Sequence, residues 1–92
     1  HIAHNCKIKK QTVIAGGALI GGSTTIGENC IIAGDVSISN NIEITNGCIV
    51  MAKSGVTKSL LKQSVVSGYP AQNHTKEIRF QAFLKRLFRK RN

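Results

Sequence analysis

Of the few side chains here that could move a proton, His4 is the best placed, and Gly22, eighteen residues later, gives it a partner. If the chain returns to the same point every eighteen residues, the two stand one above the other at a corner, about 4.8 Å apart, the spacing of paired strands. A glycine leaves its own backbone N–H unshielded there. A general base beside an open N–H donor is the minimum apparatus for acyl transfer: the base takes a proton from the attacking nucleophile, and the donor steadies the developing oxyanion. The same pair also fits a solvated corner histidine above a glycine that merely turns the chain, and spacing alone leaves both open. His1 and His4 lack a third ligand and His74 lies far down the chain, so no metal site is expected. Cys6, Cys30 and Cys48 show no C-x-x-C or zinc-type spacing; Cys30 and Cys48 fall one eighteen-residue return apart, but the odd count points to free core thiols rather than a disulfide.

What must position His4 and Gly22 is a repeat. An aliphatic residue returns every sixth position without a miss, at Ile2, Ile8, Ile14, Ile20, Ile26, Ile32, Ile38, Ile44, Val50 and Val56. Two residues before each of the later members runs a second series of small or branched residues, from Cys6 and Thr12 to Cys48 and Ser54. Period six is a multiple of the strand period of two and not of 3.6, so both series point to one side of an extended backbone. Pairs such as His4-Asn5, Gly16-Gly17, Gly22-Ser23, Asn40-Asn41 and Asn46-Gly47 follow each aliphatic and mark corners. Such a unit cannot bury its apolar face alone. Three units per turn wind into a triangular prism whose turns stack, a parallel β-helix of about three coils.

The aliphatic slot fails at Lys62, which predicts a coil region over 1–60, a connecting loop over 61–74 containing Ser67-Gly-Tyr-Pro70, and a helix over 75–92. In that helix Thr75 and Glu77 form the start, Ile78, Ala82, Phe83 or Leu84, Leu87 and Phe88 recur at helical spacing, and Phe80 widens the apolar face. That face needs a partner, either the coil or other copies of the helix. The formal charge of +9 is concentrated in this tail: +1 over residues 1–57, +2 over 58–74 and +6 over 75–92. No signal peptide and no apolar run of membrane-spanning length is evident, so a cytoplasmic protein is expected. The chain starts at His1 in mid-register, and more coils or a further domain are expected upstream.

The segments His1-Ile-Ala-His-Asn5, Thr12-Val-Ile-Ala-Gly16, Gly22-Ser-Thr-Thr-Ile-Gly27, Ala52-Lys-Ser-Gly-Val-Thr-Lys58 and Ser67-Gly-Tyr-Pro-Ala-Gln72 resemble the C-terminal half of the UDP-3-O-(3-hydroxyacyl)glucosamine N-acyltransferases of lipid A biosynthesis. The O-acyltransferases of the same pathway share the Ile-Ala-His element and fit the later segments less well. The resemblance implies a left-handed coil and a homotrimer with active sites between neighbouring coils. It makes His4 the general base for the glucosamine 2-amine and the Gly22 N–H the oxyanion donor. The (3R)-3-hydroxyacyl chain would arrive on the 4′-phosphopantetheine of acyl carrier protein, with no other cofactor, and the C-terminal helix would help dock that carrier. Lys58, Arg79, Lys85, Arg86 and Arg89 are the candidate contacts to the acidic carrier. Asn41, also a candidate substrate contact, stands where the family often has a second histidine; it can hydrogen-bond but cannot exchange a proton near neutral pH, and Lys9-Lys10 replace a Gly-containing corner.

Two other readings remain. One is a non-catalytic, trimerising piece whose helix binds acyl carrier protein, argued from the truncated start and Asn41. The other is a nucleic-acid or anionic-surface binder, argued from the basic tail, which carries no recognition motif. An ice-binding coil would need regular outward threonine rows, which only Thr24-Thr25 approach.

Overall fold

The computed structural model describes residues 1–91, with side chains described through Arg89. Asn92 and the side chains of Lys90 and Arg91, all in the expected basic helix, lie outside what is described. Nine two-residue strands recur at six-residue intervals: β1 (Lys7–Ile8), β2 (Val13–Ile14), β3 (Leu19–Ile20), β4 (Thr25–Ile26), β5 (Ile31–Ile32), β6 (Ser37–Ile38), β7 (Glu43–Ile44), β8 (Ile49–Val50) and β9 (Gly55–Val56). β10 (Val65–Ser67), β11 (Gln72–Asn73) and the helix α1 (His74–Arg91) follow.

From β1 to β6 each strand pairs in parallel with the one eighteen residues on, and β8 pairs with β10 sixteen residues on, giving the three faces of a prism. β1-β4-β7 form one, β3-β6-β9 the second, and β2-β5-β8-β10 the third, which β11 extends antiparallel. The chain is an elongated rod of 49 × 22 × 20 Å. The expected parallel β-helix with a C-terminal helix is therefore observed.

Both inward series do what their spacing requires. Ile20, Ile26, Ile32, Ile44, Val50 and Val56 are at most 1% exposed and form the core. The small series closes the polar accounts: Thr12 and Thr24 hydroxyls donate to the carbonyls of Gly27 (2.6 Å) and Ser39 (3.0 Å), each fifteen residues on. The Cys6 and Cys30 thiols do the same to Gly21 and Thr45, both at 3.2 Å. These carbonyls sit at corners, and an unpaired one under the coil wall would be costly. All three cysteines are free. Burial raises the Cys48 thiol above its ordinary value, and its hydrogen bond to Leu61 O (3.1 Å) keeps it a protonated donor. In the first turn Ile2 and Ile8 remain 49% and 37% exposed, since no coil covers them here.

The corners repeat one backbone shape. Their second residue is left-handed, with φ of 57–62° at Asn5, Gln11, Ser23, Asn29, Asp35, Asn41, Lys53 and Gln63, and 73–79° at Gly17 and Gly47. Six of these ten are Asn, Asp or Gly, the types that tolerate the conformation at least cost.

Strand pairing runs past position 60, where the expected boundary fell. Leu60 bridges to Ile44, and β10 pairs with β8 in the register Val66↔Val50, so the coil winds on to Ser67. The corner after Val56 is two residues short, which moves the aliphatic slot from Lys62 to Leu60. The period survives with its phase shifted. The Gly68–Ala71 turn then folds back on β9, with Gly55 N–H donating to Gly68 O (2.9 Å) and Ala71 N–H to Gly55 O (2.7 Å). The expected loop is thus a strand, a tight turn and a second strand leading into α1 at His74.

α1 is tied to the coil at its first turn. Ser67 Oγ and His74 Nδ1 are 2.8 Å apart, and Glu77 accepts from Gln72 Nε2 (3.0 Å) and Gln81 Nε2 (2.7 Å). Those amide donors, Gln72 first, hold the Glu77 carboxyl below its ordinary range, with a smaller contribution from His74. Beyond that turn the apolar face is largely uncovered, with Ile78, Phe80, Phe83, Leu87 and Phe88 between 45% and 70% exposed. Among the described residues no helix is long and apolar enough to cross a membrane.

Candidate functional site

His4, Gly22 and Asn40 occupy the first position of the same corner in three successive turns. Ser23 N–H donates to His4 O (3.0 Å), and Asn41 N–H to Gly22 O (2.8 Å). These ladder bonds set His4 one strand spacing from Gly22, as the eighteen-residue interval requires. The residues just before them, Ala3, Gly21 and Ser39, line a groove of about 400 Å³ on the β3-β6-β9 face. Tyr69 closes one side of it, its ring lying over Gly55 so closely that a Cβ there would fall 2.6 Å or less from the ring. The corner column therefore stands along one edge of a largely apolar trough, an arrangement that suits a long chain lying on the face with its head at the corner.

One expectation needs correction. The Gly22 N–H is not open: it donates to Asn40 Oδ1 at 2.8 Å. The cap comes from the next turn of the coil, which a reading of Gly22's own missing side chain does not reveal. The same device recurs six residues on, where Glu28 N–H donates to Asn46 Oδ1 at 2.8 Å. At both places a glycine makes room. A Cβ on Gly21 would lie 2.6 Å from Asn40 N, and one on Gly27 2.8 Å from Asn46 N. The signal was present in the sequence as Ile-Gly at 20–21 and 26–27, each followed by Asn nineteen residues later.

Gly22 itself is under no such steric demand. A Cβ there would meet His4 O at 3.6 Å and Asn40 Oδ1 at 3.9 Å, ordinary contact, and its φ is not in the left-handed range.

The other candidates are dispersed. Asn41 is exposed, and its left-handed backbone (φ 58°) is a reason for asparagine at that place independent of any substrate. Lys58 is exposed on the shortened corner, next to Thr57 of the groove. Arg79, Lys85, Arg86 and Arg89 are exposed on α1, away from the corner and on an element whose apolar side is also uncovered. Among the described residues no group of three potential metal ligands comes together.

Stacked six-residue units of short strand and left-handed corner, closed by a basic helix, define a hexapeptide-repeat β-helix protein. No family model matches the chain. It is 56% identical over 87 residues to the UDP-3-O-acylglucosamine N-acyltransferase of Paraburkholderia phytofirmans, covering 94% of this chain and 24% of that protein. It is 48% identical over 85 residues to the enzyme of that name in Chlorobium chlorochromatii, 91% of this chain and 24% of that protein. It is 40% identical over 88 residues to UDP-3-O-acylglucosamine N-acyltransferase 2 of Sulfurimonas denitrificans, 95% of this chain and 28% of that protein. The resemblance drawn from the sequence is thus shown along nearly all of the chain, and the chain spans about a quarter of the length of the curated relatives it matches.

Proposed function

We propose that this chain carries the acyl-transfer corner of an N-acyltransferase that moves a (3R)-3-hydroxyacyl group from acyl carrier protein to the 2-amine of UDP-3-O-acylglucosamine in lipid A biosynthesis. The observation that carries the reading is the stacking of His4 on Gly22 at the edge of an apolar groove, in a chain similar over 94–95% of its length to proteins of that name. The amine nitrogen attacks the thioester carbonyl. A C–N bond forms as His4 takes the amine proton, the carbonyl oxygen becomes an oxyanion received by the Gly22 N–H, and collapse breaks the C–S bond as His4 returns that proton to the departing sulfur, releasing the carrier thiol. The exposed Lys58, Arg79, Lys85, Arg86 and Arg89 give the acidic carrier an approach by charge, and Asn41 offers the sugar-nucleotide hydrogen bonds without proton transfer. A left-handed homotrimer in the cytoplasm belongs to the same reading.

The masked Gly22 N–H favours a second reading, a non-catalytic trimerising piece that binds acyl carrier protein. Transfer from acyl carrier protein to UDP-3-O-acylglucosamine, measured for this chain beside His4→Ala, separates the two. Turnover that falls about 10²-fold or more in His4→Ala supports the acyltransferase. Turnover indifferent to His4→Ala removes the corner from the mechanism, and a folded chain that binds the carrier without turnover supports the second reading.

A further inference from the structure

The corner presents a conflict: the donor that the oxyanion needs is already bonded. Gly22 N–H has one hydrogen, and Asn40 Oδ1 holds it at 2.8 Å. We propose that Asn40 is a positioning residue that masks the Gly22 donor at rest and turns its carboxamide aside when a thioester carbonyl occupies the corner. This inference rests on the acyltransferase reading and goes beyond it by naming what controls the donor.

Three observations support it. The bond orients the carboxamide, because an N–H must meet Oδ1, so the Nδ2 donors face away from Gly22. Asn40 is exposed, so the side chain can rotate into water without leaving a buried group unpaired. The third is the matched corner. Asn46 caps Glu28 in the same geometry, with Lys10 rather than His4 in the turn above, as Asn29 N–H to Lys10 O (3.3 Å) shows. The cap is therefore a general fitting of this coil, and only at Gly22 does it cover a donor with a base beside it. Gly22 fits too: packing would tolerate a Cβ there, so its bareness is free to serve approach to the N–H once the carboxamide has moved.

The test compares Asn40→Ala, Asn40→Asp and Asn46→Ala with the unaltered chain, in turnover and in the NMR signal of the Gly22 amide titrated with a 3-hydroxyacyl pantetheine thioester. Asn40→Ala should raise kcat about fivefold, the equivalent of one net hydrogen bond of about 1 kcal/mol. Asn40→Asp, whose carboxylate grips the N–H more strongly and repels the oxyanion, should lower it. Asn46→Ala should leave it unchanged. In the titration the Gly22 amide should respond to the thioester more strongly in Asn40→Ala than in the unaltered chain, a result that needs no turnover. A fall in kcat in Asn40→Ala, or a Gly22 amide that ignores the thioester in both, overturns the proposal. The acyltransferase reading fails separately, through His4→Ala.

Discussion

The corner of His4, Gly22 and Asn40 and the corner of Lys10, Glu28 and Asn46 share one backbone. Ladder bonds of 3.0 and 2.8 Å in the first match 3.3 and 2.9 Å in the second, and each carries an asparagine cap at 2.8 Å. They differ in whether the first turn supplies an imidazole or an ammonium, and the second a bare donor or a glutamate side chain. The coil manufactures identical cradles, and chemistry enters only where the side chains of successive turns coincide. That separates what the fold does from what the site does, and each part can be broken alone.

The largest effect should strike both corners at once. Ile26 lies fully buried on the strand joining them, and Ile26→Ala should cost about 2–5 kcal/mol in urea unfolding and weaken amide protection at Gly22 and Glu28 together. Loss of protection at one corner alone would mean that the two are not one cooperative unit. Next, His4→Ala should lower transfer about 10²-fold or more while Lys10→Ala leaves it within about twofold; equal losses would reduce the distinction to surface charge. Smaller still, Asn40→Ala and Asn46→Ala should each lower stability by about 1 kcal/mol, since each removes one exposed hydrogen bond of the same length. Unequal costs would show that the caps are not equivalent in the resting protein. The smallest effect should spare both corners. Because the folded Glu77 carboxyl sits below its ordinary range, its contribution is present above the unfolded carboxylate value and is lost as pH falls through the folded one. Acidification through that window should lower the amide protection factors in the first turn of α1, measured against the intrinsic exchange rate at each pH, and Glu77→Gln should abolish the dependence without altering Gly22 or Glu28.

Much of this was readable in the residues. Ten aliphatics in register fix the faces because a period of six leaves only one side of an extended chain for them. His4 over Gly22 follows by counting. The end of the coil did not follow, because a corner two residues short puts Leu60 and Val66 out of phase with every earlier member, so that Lys62 reads as a stop. The cap on Gly22 was hidden for a different reason. It depends on a side chain from the next turn reaching back, and asparagine at position 40 reads first as a corner residue. α1 shows the limit of pattern: its apolar spacing forecast a helix, while this chain's own coil leaves Phe83 and Phe88 exposed.

The shortened corner makes the coil a counter with two moduli. Before Val56 a residue's face is its number modulo eighteen; across that point neighbours differ by sixteen. A hexapeptide inserted between the His4 corner and Val56 would leave every rung a partner yet carry α1 a third of a revolution around the rod relative to that corner. An inserted octadecapeptide would keep its azimuth and only lift it by one rung. The helix's bearing relative to the His4 corner is thus set by an integer remainder, and evolution or an engineer can change it only in steps.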